Sequence, residues 1–467
     1  QYSVMRISDK NINILANTVL SAILVAVYIL FQTNCYYDMF LIVMAGVGLV
    51  PVLSFGLITL RTTDIRFAVL TLVLYQTWNM FLQPYLWTEP ILSVYRVFTP
   101  DDFPAMALFC TLSIWAMYLG GLYGIARIKT SPMFDSKYMD NRQIECVLQI
   151  MIIGGFIISI LQGVISYLGI PLGLLGLIET MLPATVGAIA VLYWLRGGRN
   201  IFYIVLVAIY MVYYFIYYVG GTLFVYCIFL VLAPVVTYML ETRRIPYRTV
   251  LLVAILLMPI FITRHTYRNE GLYSTGMERM AVGIQILVNE YGSISLDKFK
   301  ELREEEKENY NIDNRTEGVT YLATVIKSID SGRANFVYGE TMIWFPTMVL
   351  PHFLIPFRPP QNMGDQWAVY YGLKDPSWRA SINFPMLCEF YANFGYFGMV
   401  FFSFLCGILV VWFMKKFNNG VGDLNLLLLI FVVSKIVVVE ANISLGYGAI
   451  LQVMTVCWLY KKIKGKV

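Results

Sequence analysis

Long apolar runs separated by short polar segments fill the sequence from residue 12 to residue 263, and they return after residue 383. About twenty consecutive apolar residues form a helix long enough to cross a lipid bilayer. The pattern therefore predicts about twelve transmembrane helices. The runs cover residues 12–31, 38–60, 66–87, 104–126, 146–169, 179–195, 201–218, 222–240, 248–263, 384–413, 423–441 and 443–460.

The composition supports this prediction. Of the 467 residues, 58% are hydrophobic and 13% are charged, whereas a soluble globular chain carries about 25% charged residues. This excludes a cytosolic enzyme, a secreted disulfide scaffold and a disordered chain. The seven cysteines lie mostly inside apolar runs without paired spacing, so we expect small buried hydrophobic residues. The predicted fold class is an all-α integral membrane protein.

Basic residues indicate the orientation of the helices. With a cytoplasmic N-terminus, the short cytoplasmic segments hold nineteen Lys and Arg, and the short external segments hold only Arg96. Short cytoplasmic loops are enriched in Lys and Arg, so both termini are predicted to be cytoplasmic. This distribution explains the net charge of +5 without a nucleic-acid partner. Run 12–31 lacks a small-residue cleavage site after it, which indicates a retained helix.

One long interval, residues 264–383, separates the ninth and tenth runs and falls on the external side. It carries thirteen Lys and Arg, but long loops cross the membrane largely regardless of charge. The prediction is therefore three parts: transmembrane helices 1–9 in residues 1–263, one large extracytoplasmic loop in 264–383, and helices 10–12 in 384–467.

The loop has its own predicted elements. Helical spacing of apolar residues predicts short helices at 277–291 and 317–329, and a charged helix is predicted at 295–308. Residues 341–357 are apolar but contain three prolines. This favours a re-entrant or interfacial segment over a spanning helix.

Arginines mark the start of the loop. Arg264 and Arg268 are four residues apart and share a face if the ninth helix continues, with His265 between them. Two guanidinium groups at the outer membrane surface suit a diphosphate, because each can bind phosphate oxygens bidentately. Non-specific binding of lipid headgroups is the alternative.

Arg358 stands among prolines after the proline-broken segment, which would fix its guanidinium at low entropic cost. Arg379 follows further along the loop. Both are candidate anion-binding residues. Pairing of these arginines with Asp365 and Asp375 is the alternative.

Glu389 lies about one turn into the otherwise apolar tenth run, with Asn393 on the same face. A carboxylate there is costly unless it faces a cavity or a partner, and it could accept a proton from a substrate. Gly395 and Gly398 are expected to allow close helix approach. The alternative is a Glu389 that pairs with an arginine and only holds the loop on the helices.

Lys435 lies within the eleventh run, near Glu440. A lysine at that depth is a functional-site hypothesis, and a structural ion pair with Glu440 is its alternative.

Asp101 and Asp102 precede the fourth helix. We interpret them as helix-start residues, with Thr99 as the N-cap, and a metal-binding pair of carboxylates is the alternative. We predict no metal site and no cofactor.

The chain resembles the Wzy-type polymerases of O-antigen, capsule and exopolysaccharide repeat units. The resemblance rests on many helices with one large, late outer loop, on arginines at the start of that loop, and on two local patterns. The patterns are Pro356-x-Arg358-Pro359 and Glu389-x-Tyr391-x-Asn393-Phe394-Gly395-x-x-Gly398.

The resemblance implies a GT-C-like glycosyltransferase of the bacterial inner membrane that joins undecaprenyl-diphosphate-linked repeat units on its outer face. Such an enzyme works without a metal, and its partners are lipid-linked glycans, membrane lipid and a chain-length regulator protein. Glu389, Arg268 and Arg264 are then the expected catalytic residues. The expected substrate-binding residues are Arg358, Arg379, Tyr391, Asn393, His265, His352 and Lys435.

Two other functions stay open. A transporter or flippase of lipid-linked sugars would also be helical and lined with basic residues, although it would more often carry charges in several helices. An O-antigen ligase shares the architecture, and His352 is compatible with the loop histidine by which it is usually recognised.

Overall fold

The computed structural model shows a helical chain. It describes residues 14–32, 35–62, 64–87, 102–130, 133, 138–167, 173–221, 224–242, 244–255, 257, 276–292, 318–349, 364–376, 384–418 and 423–464. The α-helices within these ranges are α1 (Ile14–Leu30), α2 (Met39–Thr62), α3 (Ile65–Phe81), α4 (Phe103–Arg127), α5 (Asn141–Tyr167), α6 (Gly173–Leu195), α7 (Ile201–Gly220), α8 (Phe224–Thr242), α9 (Gly276–Gly292), α10 (Gly318–Asp330), α11 (Glu340–Ile343), α12 (Gly364–Tyr370), α13 (Met386–Asn418), α14 (Asp423–Ile436) and α15 (Ile443–Lys464). Residues 247–255 are helical as well, Gln83–Leu86 and Phe345–Val349 are 3₁₀ helices, and these ranges contain no strand.

Helices occupy the predicted apolar runs, which confirms the all-helical fold class. Eleven of the runs coincide with α1–α8 and α13–α15, and the ninth lies mostly outside the described residues. Five described segments are long and apolar enough to cross a membrane, so the chain has the character of a multi-pass membrane protein. They are Met39–Thr62, Phe103–Arg127, Asn141–Ser159, Ile201–Gly220 and Met386–Phe417. The number of twelve crossings stays a prediction.

Two of the predicted loop helices are present as α9 and α10, and residues 295–308 lie outside the described part. The proline-containing segment begins as two short pieces, because α11 ends at Ile343 and a 3₁₀ helix follows at Phe345–Val349. No spanning helix passes through residues 340–349. The helix α12 was not predicted.

The chain divides into two compact units. Unit 1 comprises Gln1–Asp135, Asn311–Gly420 and Val432–Val467, and unit 2 comprises Ser136–Tyr310 and Val421–Phe431. The boundary falls within α14, so each unit is built from segments that are distant in sequence.

In unit 1, α4 and α13 pack together with almost no space between their backbones. A Cβ atom at Gly120 would clash with the carbonyl oxygen of Phe404, and one at Gly407 would clash with that of Met117. Only glycine at these positions permits so close an approach, which is common in membrane helices.

Unit 1 has two distinct ends. At one end, here called the loop end, α3 finishes and α13 and α15 begin, and Gly318 of α10 lies against Met80 of α3. At the opposite end, the Lys415 ammonium donates hydrogen bonds to the backbone carbonyls that finish α4. The loop helix α10 and the Lys415 side chain therefore lie at opposite ends of unit 1.

Unit 2 is organised around the tyrosine-rich helix α7. Tyr210 and Tyr214 are fully buried in a cluster with side chains of α5, α6 and α9. The Arg279 guanidinium of α9 lies 4.9 Å from the centre of the Tyr217 ring. The loop helix α9 thus packs on α7, and its Met280 and Leu287 lie against the tyrosine cluster. Ile284 and Val288, which the helical pattern places on the same apolar face, are 50% and 63% exposed, so only part of the predicted face is buried.

Candidate functional site

Glu389, in the first turn of α13, is completely buried at the loop end of unit 1. Its Oε2 atom accepts a hydrogen bond from the backbone N–H of Ile443 at 2.7 Å. Ile443 is the first residue of α15, whose initial N–H groups lack partners within the helix and carry a partial positive charge. The carboxylate of one helix therefore stabilises the start of another.

The Glu389 carboxylate also lies near the Thr341 side chain. Its second oxygen, Oε1, meets hydrogen-bond geometry with none of the residues that the structure describes. Within the same residues, Glu389 forms no ion pair. None of the described arginines therefore pairs with Glu389, as the alternative interpretation would require.

Asn393, one turn after Glu389, is also fully buried and uses both ends of its amide. Its Oδ1 accepts from the backbone N–H of Gly339 at 2.7 Å. Its Nδ2 donates to the Thr341 hydroxyl at 2.8 Å and to the Glu389 carbonyl at 2.7 Å. This network joins α13 to the segment that carries α11.

The helix α13 is interrupted directly after Asn393. Gly395 has φ 62° and ψ −154°, a conformation that is essentially restricted to glycine. A Cβ atom at Gly398 would lie 2.5 Å from the Phe390 carbonyl oxygen of the same helix. These glycines permit a break in α13, so the expectation that they serve contact with another helix is wrong.

A tight turn at Tyr338 lies against this break. The Val337 N–H donates to the Ala392 carbonyl at 2.9 Å, and the Glu340 N–H donates to the Val337 carbonyl at 2.8 Å. Tyr338 itself has φ 42° and is 75% exposed. In the described part of the chain it is the one non-glycine residue with a positive φ.

Tyr391 packs inside the loop end. It is 4% exposed, with its ring centre 5.9 Å from that of Phe336 and 5.0 Å from that of Tyr396. In this arrangement the ring supports the segment before Tyr338. Its predicted contact with substrate stays a prediction.

The segment after α10 is tied down by Tyr371. The Ser328 hydroxyl donates to the Tyr371 carbonyl at 2.7 Å, and the Tyr371 hydroxyl donates to the Asn335 carbonyl at 3.1 Å. Burial raises the pKa of the Tyr371 phenol, so it stays a neutral donor at physiological pH. The backbone that leads to Tyr338 is therefore fixed at both sides.

Residues 316–439 match the model of the O-antigen polysaccharide polymerase Wzy family. The resemblance to this family is confirmed over that segment. It is about a quarter of the chain and contains Tyr338, Glu389 and Asn393. No curated protein and no solved structure matches the chain. The match supports an O-antigen polymerase-type function in polysaccharide biosynthesis.

Lys435, also within the segment matched to the Wzy family, lies in the last turn of α14 and is partly exposed. It forms no ion pair with Glu440. The structural ion pair considered as the alternative is therefore absent, and a role in binding substrate stays a prediction.

The remaining predicted site residues lie outside the described residues. They are Arg264, His265, Arg268, His352, Arg358 and Arg379. Thr99 and Asp101 also lie outside. Asp102 occupies the N-cap position of α4 without a capping hydrogen bond from its side chain, so α4 begins later than Thr99 would allow.

Sequence reasoning missed the partners of Glu389 and Asn393. Gly339, Thr341 and Ile443 lie about fifty residues away from them along the chain. Helical spacing placed Glu389 and Asn393 on one face, but it carries no information on contacts between distant segments. The Tyr338-Gly339 pair was the available signal, since glycine often accompanies a left-handed turn.

Proposed function

We propose that this protein is a polymerase that joins undecaprenyl-diphosphate-linked oligosaccharide repeat units into O-antigen, capsule or exopolysaccharide. The observation that carries the proposal is the Wzy family match over residues 316–439. That segment contains the Glu389–Asn393 network and the turn packed on it.

In this proposal the chain spans the bacterial inner membrane about twelve times in a GT-C-like arrangement, with both termini in the cytoplasm. Residues 264–383 form the extracytoplasmic loop between the helices of 1–263 and those of 384–467. The position of α10 and α11 at the loop end of unit 1, opposite Lys415, supports an outer location for that end.

The chemistry is transfer of a growing glycan from its lipid diphosphate to a hydroxyl of a new repeat unit. The bond between the anomeric carbon and the diphosphate oxygen breaks, and a glycosidic bond forms as the hydroxyl loses its proton. The guanidinium groups of Arg264, Arg268 and Arg358 stabilise the negative charge of the diphosphate leaving group. In this role they can replace a metal ion. Arg379 and Lys435 add positive charge for the anionic lipid.

We assign Glu389 as a positioning residue, because a carboxylate with no exposed surface cannot reach a bound hydroxyl in this conformation. His265 and His352 are then the candidate general bases. Asn393 and Tyr391 hold the turn that faces the glycan.

The test is a reconstitution with purified protein in nanodiscs. The native lipid-diphosphate-linked repeat unit is added with EDTA and without nucleotide sugar, and the products are separated on a gel. We expect a ladder of polymer, which is lost in Arg268→Ala. Transfer of intact lipid-linked repeat units across liposome bilayers without a ladder would support the transporter instead.

A further inference from the structure

The backbone at Tyr338 is strained. A bulky side chain at φ 42° is a genuine outlier, because its Cβ crowds the backbone in the left-handed region. Such strain persists only where the surroundings determine it, and it concentrates at functional sites. Glycine would adopt this conformation without strain.

The surroundings that determine this conformation are on both sides of Tyr338. Val337 is bonded to the Ala392 carbonyl, and Gly339 is bonded to the Asn393 side chain. Gly339, with φ 92°, continues the left-handed turn. Asn393 therefore fixes the direction in which Tyr338 projects.

The strained conformation does not serve packing of the Tyr338 side chain. The side chain is 75% exposed, and its ring contacts Phe336 at a centroid distance of 6.1 Å. A tyrosine that only marks the membrane interface can occupy ordinary backbone, so interface preference does not account for the strain. Arg333 and Asn335, in the same connection, are also exposed.

We propose that Tyr338 is a sugar-binding residue that packs its ring on the apolar C–H face of a pyranose in the repeat unit. The exposed polar groups of Arg333 and Asn335 supply hydrogen bonds to hydroxyl groups of the same glycan. This inference rests on the proposed function, since it names the part of the protein that contacts the oligosaccharide.

Two substitutions separate a binding role from a structural one. Tyr338→Gly removes the ring and relieves the strain, and Tyr338→Ala removes the ring and keeps the strain. The control Tyr247→Ala removes a tyrosine of unit 2 that is 63% exposed. The probe is a lipid-free oligosaccharide of one repeat unit, released from the polysaccharide of the host strain and titrated by calorimetry.

We expect Tyr338→Gly to unfold at or above the temperature of the wild type. Its affinity for the oligosaccharide falls about tenfold, as does that of Tyr338→Ala, and the ladder weakens in parallel. Tyr247→Ala retains wild-type affinity and ladder. A Tyr338→Gly protein that binds and polymerises like the wild type overturns the inference and leaves the polymerase intact.

If Tyr338→Gly lowers the unfolding temperature, the role of the ring is tested with Tyr338→Phe and Tyr338→Leu. Both variants keep the backbone strain, and only Tyr338→Phe keeps an aromatic ring. Wild-type affinity for the oligosaccharide in Tyr338→Phe, with an affinity about tenfold lower in Tyr338→Leu, supports the inference. Equal affinities of the two variants overturn it. If the wild type neither binds the oligosaccharide nor forms a ladder, the proposed function fails and takes the inference with it.

Discussion

The two units solve the problem of a buried carboxylate in different ways. In unit 2, Asp423 is 2% exposed and accepts two hydrogen bonds from the Arg196 guanidinium, at 2.7 and 2.6 Å. It also accepts one from the Met139 N–H at 2.7 Å. In unit 1, Glu389 is held by the N–H of Ile443 and forms no ion pair within the described residues.

The difference indicates different tasks. A carboxylate bonded bidentately to an arginine is neutralised locally, and its loss leaves an uncompensated charge. A carboxylate at a helix start is stabilised by a partial charge and by the geometry of a few neutral groups. Asp423 therefore fastens helix ends, whereas Glu389 belongs to a network whose geometry sets the Tyr338 turn.

The largest expected effect comes from breaking the ion pair of unit 2. Asp423→Ala leaves Arg196 without its bidentate acceptor and should reduce the free energy of unfolding by about 3 kcal/mol. Arg196 is 20% exposed, so water offsets part of the loss. The measurement is chemical unfolding of the purified protein in detergent.

The control for Asp423 uses the second carboxylate near the same guanidinium. Glu241 lies 3.4 Å from Arg196 and is 33% exposed, so Glu241→Gln should cost no more than about 0.5 kcal/mol. If both variants lost the same free energy of unfolding, the buried bidentate pairing of Asp423 with Arg196 would not be the source of the stability.

The next effect tests Glu389 itself. Glu389→Ala should cost about 2 kcal/mol, because the Ile443 N–H loses its partner inside the protein. Glu389→Gln keeps a carbonyl oxygen that can accept the same bond, so it should restore stability. Polymer formation at several pH values is measured for both variants.

If Glu389 is a positioning residue, Glu389→Gln forms the ladder with the pH profile of the wild type. A well-folded Glu389→Gln protein without activity would instead identify Glu389 as the general base. The two roles therefore separate in one variant.

The sequence predicted the helices far better than the site. Apolar runs of about twenty residues locate helices because burial in lipid requires them. The end of α14 at Ile436 and the break of α13 at Gly395 were not predictable, because an apolar run continues through both. Glu389 and Asn393 were found, since polar residues in an apolar run are conspicuous. Their partners arise from chain folding, which a one-dimensional pattern does not record.

Asn393 gives a smaller effect that sharpens the comparison. Asn393→Ala leaves the buried Gly339 N–H without its acceptor and should cost about 1.5 kcal/mol. Because this bond fixes the Tyr338 turn, polymer formation should fall more than stability explains. Ser403→Ala is the control, since Ser403 is buried on the same helix with a hydroxyl that bonds none of the described residues. A similar loss of activity in Ser403→Ala would remove the special role of Asn393.

The smallest effect lies at the opposite end of unit 1, where Lys415 mirrors Glu389. Its ammonium donates to the carbonyls of Gly124, Ile125 and Ile128 at 3.2, 2.6 and 3.0 Å. These carbonyls end α4 and carry its partial negative charge, so Lys415→Met should cost about 1 kcal/mol. Hydrogen exchange should quicken at the Ile128 amide, which bonds to Gly124.

Lys416→Met is the control, because it removes one positive charge from the neighbouring residue. It distinguishes the hydrogen bonds of the Lys415 side chain to the end of α4 from an effect of total charge. The Lys416 backbone carbonyl accepts from the Met133 N–H, a bond that does not involve its side chain. We therefore expect Lys416→Met to leave the exchange of Ile128 unchanged. If both variants loosened the end of α4 equally, general positive charge at that end would account for the effect. The parallel with Glu389, in which one charged side chain completes one helix terminus, would then hold only at the loop end.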